Sequence, residues 1–225
     1  MTDRALVVVR AGALTTVQDR GRPGYAHLGV PRSGALDPPA AALVNRLVGN
    51  PPDTAVLETT LNGCAVRPRS TVTVAVAGAP CPVAVDGRPA AWGAPVVVPA
   101  GELLEVGAAT AGVRSYLAVG GGIAVEPVLG SRATDLLSGL GPAPLADGAV
   151  LPLGAPAGPP ARVDWAPQPG PPAELVLRVT PGPRDDWFTA RAVRPAARRP
   201  AAAAPDRRVH GHDHLPRRVH PLPDS

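Results

Sequence analysis

The chain has 225 residues, of which 45% are apolar, 25 are glycine and 31 are proline, so it is long and apolar enough to bury a core as one domain or two small ones. Residues 1–190 hold 14 arginines against 15 acidic residues, whereas residues 191–225 hold 8 arginines against 3 aspartates, and this balance argues against a nucleic-acid-binding protein. The sequence contains no lysine, which excludes a P-loop, a lysine Schiff base and a biotinylated lysine on this chain.

The first predicted elements are a strand over 5–9 and one helix over 38–48. Asp37 is a suitable N-cap and Pro38 fits the first helical position. Apolar residues recur at helical spacing, at Ala40, Leu43, Val44, Leu47 and Val48. Gly49-Asn50-Pro51 ends the helix. We therefore expect the face of Leu43, Val44 and Leu47 to pack against a sheet.

Short strands are predicted along the rest of the first 190 residues. They are apolar, β-branched or alternating runs bounded by glycine, proline or asparagine, at 55–61, 71–77, 95–98, 103–106, 114–119 and 174–180. Asp86-Gly87 predicts a two-residue hairpin turn, because both positions tolerate positive φ. Short strands at this spacing predict a mainly β fold, either a barrel or a sandwich.

Two segments have a different character. Residues 152–173 are rich in proline, glycine and alanine, and are predicted to form an exposed connection between two packed parts. Arg, Ala, Pro and His make up 25 of the 35 positions of 191–225, which predicts a disordered tail. The abrupt change after Ala190 favours a sharper hypothesis, that the tail is GC-rich DNA translated out of frame. Its histidine run at 210–214 has a metal-binding composition, but a tail of this kind gives it little support, and no metal site is predicted.

Polar side chains and glycines are most concentrated in residues 18–37, which we call the signature loop. His27 is a candidate general acid or base because its unperturbed pKa lies near physiological pH, and its alternative role is a structural donor. Asp19 with Arg20 or Arg22 would bind a carboxylate or carbamoyl group, or would form an ion pair that orders the loop. Ser33 would bind a substrate oxygen, since no nucleophile elbow surrounds it.

A glycine run at 120–122 follows a predicted strand. One interpretation is that its backbone N–H groups bind an anion. The other is that the run forms a tight turn, and this is favoured because no clear helix follows it. Asp37 is better explained as a helix cap than as a catalytic group. The Asp185-Asp186 pair is better explained by its place at a helix start than as a catalytic carboxylate pair.

The signature loop resembles the opening segment of the allophanate hydrolase subunit 2 family, also called the biotin-dependent carboxyltransferase-like family, to which the C subunit of 5-oxoprolinase belongs. The loop carries the carboxylate, guanidinium, phenol, imidazole and hydroxyl groups of that segment, interleaved with glycines. The resemblance continues in chain order through 38–50, 56–58, 114–123, 128–136, 144–154 and 181–188. It covers essentially residues 1–190.

The resemblance implies cyclophilin-like β-barrel units with few short helices. The Ser-Asp-Arg-Met-Gly and Thr-Gly-Gly-Tyr-Pro segments of the family are absent from this sequence. The expectation is therefore a carboxyltransferase-like domain over 1–190 that is incomplete on its C-terminal side, with the second unit largely missing, followed by the tail 191–225.

The chemistry of the candidate residues divides them into two predicted sets. The catalytic set is His27, Asp19 and Arg20. The substrate-binding set is Arg22, Tyr25, Ser33, Gly120 and Gly121.

The implied function is that of a subunit of an ATP-dependent 5-oxoprolinase, which hydrolyses 5-oxo-L-proline to L-glutamate, and the truncated chain is expected to show little or no activity. ATP is then a co-substrate of a hetero-oligomer with the other 5-oxoprolinase subunits, and no biotin is attached to this chain. The alternatives are a carboxyltransferase domain of the urea amidolyase type, a regulatory module that binds a kinase-inhibitor-like partner, and a degraded remnant without function.

The protein is predicted to be cytoplasmic and not to bind membranes. The N-terminus lacks a secretory signal and the apolar runs are far shorter than the roughly 20 residues that span a bilayer. In that compartment Cys64 and Cys81 are expected to be reduced and structural.

Overall fold

The computed structural model describes residues 4–168, 170, 184–187 and 189. The chain divides into two compact units, Met1–Pro169 and Gly170–Ser225. The described part of the second unit contains a 3-10 helix, Asp185–Trp187, preceded by Arg184, whose guanidinium lies 5.0 Å from the centre of the Trp187 ring. The predicted strand 174–180 and the tail 191–225 lie outside the described residues.

The first unit is built from antiparallel strands, with one α-helix, α1 (Pro38–Leu47), and a 3-10 helix, Ala26–Leu28. The strands are β1 (Ala5–Arg10), β2 (Thr15–Gln18), β3 (Val56–Thr60), β4 (Cys64–Pro68), β5 (Val72–Gly78), β6 (Val83–Val85), β7 (Arg88–Ala90), β8 (Val96–Val98), β9 (Leu104–Val106), β10 (Arg114–Val119) and β11 (Val150–Pro152). They form a six-stranded sheet, in the order β11-β1-β4-β9-β6-β7, and a five-stranded sheet, in the order β2-β3-β10-β5-β8. The prediction of a mainly β fold is confirmed.

The core lies between the two sheets, and a second apolar layer lies under α1. Alternation along β10 serves both layers: Leu117 and Val119 belong to the core between the sheets, while Tyr116 and Ala118 belong to the layer beneath the helix. The five-stranded sheet is therefore buried on both faces where α1 covers it. Both cysteines are buried and free.

Helix α1 begins as predicted and ends one residue earlier, at Leu47. The Asp37 carboxylate accepts a hydrogen bond from Ala40 N at 3.1 Å, so Asp37 is the N-cap. Val44 and Leu47 are buried in the layer over β5 and β10, and Leu43 is partly buried against it. The predicted packing face is confirmed.

Six predicted strands are present with ends shifted by about a residue, and the Asp86-Gly87 turn is confirmed. Its two residues have φ of 45° and 73° and join β6 to β7. The sequence prediction missed β2, β4 and β11. Residues 152–168 are mostly exposed, as predicted, and they belong to the first unit. Their backbone is bonded to the rest of that unit: Ala161 N donates to Leu47 O at 2.9 Å and Ala166 N to Gly93 O at 2.8 Å.

One end of the five-stranded sheet positions the site. Gln18, the last residue of β2, pairs with Val56, the first residue of β3. Because β10 runs antiparallel to β3, its last residues reach the same end. The signature loop leaves β2 at this end, and the glycine run 120–122 leaves β10 there.

Candidate functional site

The signature loop folds back on itself between β2 and α1. Arg22 N donates to Arg32 O at 2.7 Å, and Ala35 N donates to Asp19 O at 2.9 Å. These two bonds close the base of the loop. Residues 23–31 form its tip, which contains the 3-10 helix Ala26–Leu28 and is mostly exposed.

Gly34 is required at the base of this loop. Its φ is 90°, and a Cβ added there would lie 2.7 Å from Gly21 N and 2.9 Å from Asp19 O. A side chain at this position would therefore push the two sides of the loop apart. The glycines of the loop allow its own backbone to approach closely.

Asp19 fastens the loop to residues 128–141, which we call the crossing segment. One oxygen, Oδ1, accepts from Gly21 N at 2.7 Å and from Ser131 Oγ at 2.6 Å, and Oδ2 accepts from Arg132 N at 2.6 Å. Three donors on a partly buried carboxylate make a strong, charge-assisted anchor. The catalytic role predicted for Asp19 stays a prediction, and the geometry shows that this carboxylate also orders the loop.

Arg22 is buried, with 1% of its surface exposed, and its guanidinium is surrounded by protein acceptors. Nη2 donates to Ala133 O at 2.5 Å, Nε to Val128 O at 3.3 Å and Nη1 to Ser33 Oγ at 3.4 Å. Arg22 and Ser33 therefore lie together at the contact with the crossing segment. Their predicted role in substrate binding is untested, and Arg22 is not free to reach a ligand in this arrangement.

Arg20 and His27 are exposed, and neither is among the hydrogen-bond donors that the described structure places on the Asp19 carboxylate. Arg20 Nη1 lies 3.1 Å from Asp53 Oδ2, with more than 60% of each side chain exposed. His27 Nδ1 lies 3.1 Å from Gly24 O. Of the hydrogen bonds formed by the described residues, none joins His27 to Asp19 or Arg20. The structure thus does not assemble the predicted catalytic set into one hydrogen-bonded group.

Tyr25 and the crossing segment complete the surroundings of the loop. Tyr25 is partly buried, and its carbonyl accepts from Leu28 N at 3.0 Å as the tip turns. Asp135 in the crossing segment accepts from Leu137 N at 2.9 Å. Hydrogen bonds, first from the Ser138 hydroxyl and with a smaller contribution from Ser33, hold the pKa of Asp135 below its ordinary value.

The glycine run after β10 forms a turn whose amides are already paired. Gly120 N donates to Thr73 O at 2.8 Å, and Gly121 N donates to Asn50 Oδ1 at 2.8 Å. The Asn50 amide in turn donates to Val119 O at 2.8 Å. The tight-turn alternative therefore describes the observed geometry, and the predicted anion contact at Gly120 and Gly121 stays untested.

Sequence reasoning missed a buried polar group beneath the end of the signature loop. Glu58 Oε2 accepts from Tyr116 Oη and from Leu36 N, both at 2.8 Å, and Tyr116 Oη accepts from Asp37 N at 2.7 Å. Arg114 Nε lies 3.4 Å from Glu58 Oε1. Burial and then the negative charge of Glu58 raise the pKa of Tyr116 above its ordinary value. The available signal was a carboxylate in an otherwise apolar strand segment, Val56-Leu57-Glu58.

The described residues hold no group of three or more His, Cys, Asp or Glu side chains arranged to bind a metal ion. The histidine run at 210–214 lies outside those residues. No helix in the described part of the chain has the length and apolar character needed to cross a membrane.

Comparison with known proteins gives a consistent set of relatives. A model of the carboxyltransferase domain, subdomains A and B, matches residues 28–201. The C subunit of 5-oxoprolinase from Escherichia coli (strain K12) is 42% identical over 152 residues, which cover 66% of this chain and 49% of that protein. The urea amidolyase of Lachancea kluyveri is 39% identical over 151 residues, which cover 67% of this chain and 8% of that protein.

Solved structures also resemble this fold. The crystal structure of TTHA0988 superposes with a TM-score of 0.75 at 38% identity, covering 85% of this chain and 38% of that one. The chain spans about half the length of the 5-oxoprolinase C subunits it matches.

Proposed function

The chain belongs to the carboxyltransferase domain family, and we propose that it acts as a subunit of an ATP-dependent 5-oxoprolinase that hydrolyses 5-oxo-L-proline to L-glutamate. The observation that carries the proposal is the 42% identity to a 5-oxoprolinase C subunit over 152 residues. The geometry adds support, since the signature loop presents exposed polar side chains on a base held by Asp19, Gly34 and Arg22.

Hydrolysis of 5-oxoproline requires activation of a stable amide bond. Resonance stabilises the amide of an unstrained five-membered lactam. In the proposed reaction the carbonyl oxygen takes the terminal phosphoryl group of ATP and ADP leaves; water then adds to the activated carbon, the C–N bond breaks, and phosphate is released with glutamate. The exposed Arg20 guanidinium offers a bidentate fork for the substrate carboxylate once it leaves Asp53. We assign to the exposed His27 imidazole the transfer of a proton to the ring nitrogen as the C–N bond breaks.

The other parts of the site are assigned to partner subunits. The chain has no lysine and hence no P-loop. The matched 5-oxoprolinase proteins are named as subunits of a larger enzyme, and this chain spans about half of their length. The proposal therefore is a hetero-oligomer whose subunits share the ATP and catalytic contacts, and in which the signature loop contributes one wall of the 5-oxoproline site.

The test is glutamate production by the reconstituted complex. The resemblance predicts little or no activity for a chain that lacks most of its second unit. The signature loop and the groups that hold its two ends nevertheless lie within the first unit, so we expect the 225-residue chain, mixed with its partner subunits, ATP and 5-oxoproline, to give ATP-dependent glutamate. Arg20→Ala or His27→Ala should reduce turnover without lowering the melting temperature. Arg88→Ala is the matched control, because the Arg88 side chain is about as exposed as that of Arg20 and also forms an ion pair, with Glu102, and Arg88 lies on the other sheet. Absence of glutamate with the wild-type chain, in an assay where the Escherichia coli complex is active, would overturn the proposal.

Carboxyl transfer is the second candidate, favoured by the 39% identity to a urea amidolyase. It requires biotin on a lysine of another chain. A complex that carboxylates urea from carboxybiotin and ignores 5-oxoproline would select this candidate. A partner that co-purifies with the chain in the absence of either activity would select the regulatory hypothesis.

A further inference from the structure

We propose that Glu58 and Tyr116 are positioning residues, which hold the exit of the signature loop in the shape that its ligand-facing groups need. The proposal rests on the proposed function in assigning the loop to the substrate site. It concerns two residues of the sheet, neither of which belongs to the loop.

The loop is anchored to the protein by acceptor oxygens at both ends. At its entry, the Asp19 carboxylate binds Gly21 N and Arg132 N. At its exit, Glu58 Oε2 binds Leu36 N at 2.8 Å and Tyr116 Oη binds Asp37 N at 2.7 Å. Between the anchors the tip is largely exposed, so the position of its side chains depends on the two ends.

The exit anchor is polar in a layer that is otherwise apolar. Val56, Ala75, Ala77 and Ala118 lie in the same layer beneath α1, and Glu58 is only 6% exposed. A buried carboxylate costs desolvation free energy that an apolar residue would avoid. What the carboxylate provides is a fixed acceptor for one backbone N–H and one hydroxyl, which an apolar side chain cannot provide.

The anchor also links three elements in one network. Glu58 lies on β3, Tyr116 lies opposite it on β10, and Asp37 both donates to Tyr116 and caps α1. Loss of the tyrosine hydroxyl would leave Asp37 N without this acceptor and would take one donor from Glu58. The loop exit, the helix start and the sheet would then be free to shift relative to one another.

Hydrogen exchange of the full 225-residue chain tests the anchor directly. In Tyr116→Phe, which keeps the ring and removes only the hydroxyl, we expect the amides of Leu36 and Asp37 to exchange on the order of tenfold faster, while amides of β4 stay unchanged. Thr60→Val is the matched control, because Thr60 lies on β3 and its buried hydroxyl has no hydrogen-bond partner in the described structure. It should leave both amides at wild-type rates.

A second pair of variants covers the case in which Tyr116→Phe does not fold. Glu58→Gln keeps an acceptor oxygen for Leu36 N, whereas Glu58→Ala removes it, so the glutamine should restore most of the protection that the alanine loses. In the reconstituted complex, kcat/KM for 5-oxoproline should fall at least tenfold in Tyr116→Phe and stay unchanged in Thr60→Val.

The outcomes separate the two proposals. Unchanged exchange at Leu36 and Asp37 in every Glu58 and Tyr116 variant would overturn the anchor, and faster exchange with wild-type kcat/KM would overturn its role in positioning the loop for catalysis. A wild-type complex without turnover would overturn the proposed function instead. The hydrogen-exchange result and the glutamine rescue would then decide the anchor by themselves.

Discussion

Arg22 illustrates how a residue that looks suited to bind a ligand can be committed to the protein. Its guanidinium is 1% exposed and donates to two main-chain carbonyls and a serine hydroxyl. Arg20, two residues earlier, forms an exposed ion pair with Asp53. The two arginines of the same motif therefore differ in what they contribute: the buried one holds the loop, and the exposed one is available.

The contrast predicts different effects on stability. Arg22→Met keeps the length of the side chain but leaves the buried Ala133 carbonyl without its donor, so we expect a loss of about 1–3 kcal/mol in the free energy of unfolding. Arg20→Met removes an exposed ion pair, whose contribution is about 0–1 kcal/mol. Urea denaturation of both variants measures the difference, and equal losses would contradict the assignment.

Cys64 predicts a pH dependence of stability. Burial raises the pKa of its thiol from 9.0 to about 12, although the nearby Arg10 charge acts in the opposite direction. Between these two values the unfolded chain loses the thiol proton while the folded chain retains it, so stability is fully present below pH 9 and falls as pH rises. The slope approaches roughly 1.4 kcal/mol per pH unit.

Cys64→Ala is the variant that isolates this effect. Unfolding by urea at pH 8, 9 and 10 should show a smaller decrease in the free energy of unfolding than in wild type. Burial also raises the pKa of the Cys81 thiol, so in Cys64→Ala the free energy of unfolding should still decrease somewhat as the pH rises. The same pH dependence in Cys64→Ala and wild type would show that burial does not keep the Cys64 thiol protonated in the folded chain.

Among elements, the signature loop predicts a difference between two glycines with similar backbone. A Cβ on Gly34 would lie 2.7 Å from Gly21 N, whereas one on Gly29 would meet nothing within 4 Å, and both residues have positive φ. Gly29→Ala should therefore cost about 1–2 kcal/mol from the backbone alone. Gly34→Ala should cost clearly more in urea denaturation, and a loss no greater than that of Gly29→Ala would contradict the closed base.

Helix α1 predicts a comparison of adjacent positions. Leu47 is 4% exposed in the layer over the sheet, so Leu47→Asp buries an unpaired charge and should destabilise by several kcal/mol. Arg46 is exposed, and Arg46→Asp places the same carboxylate in solvent near the end of the helix, at a cost of about 1 kcal/mol or less. Thermal melting of the two variants checks the packing face, and similar melting temperatures would contradict it.

The elements that sequence predicted well are those set by neighbouring residues. The Asp37 cap bonds three residues away, and the Asp86-Gly87 turn depends on its own two backbone conformations. Strand β2 was missed because three of its four residues, two threonines and a glutamine, are polar. Its burial depends on contacts with segments later in the chain, such as β3. Thr15 Oγ1, for example, lies 3.1 Å from Thr59 Oγ1 on the neighbouring strand.

The candidate site was predicted only in part for the same reason. The signature loop was found from its composition, but the partners of its residues are far along the chain. Asp19 bonds Arg132 at a separation of 113 residues, and Glu58 bonds Tyr116 at a separation of 58. No local pattern pairs such residues, so the anchoring roles of Asp19 and Glu58 required the fold.

At the scale of the whole molecule, the first unit has what a self-sufficient domain needs. Both apolar clusters, both sheets and α1 lie within residues 5–166. The last described residues of this unit are also tied to it, since Gly78 N donates to Gln168 Oε1 at 2.9 Å. A unit with its own core is expected to fold without the residues that follow it.

We therefore predict that residues 1–169 produced alone fold cooperatively, with a melting temperature close to that of the 225-residue chain. Hydrogen exchange in β4, β5 and β10 should match in the two proteins, because the contacts that protect these strands lie within the first unit. The comparison also tests the expected domain boundary at residue 190. If residues 1–169 melt markedly lower and residues 1–190 recover the full melting temperature, residues 170–190 belong to the same cooperative domain, and the boundary predicted from sequence is the correct one.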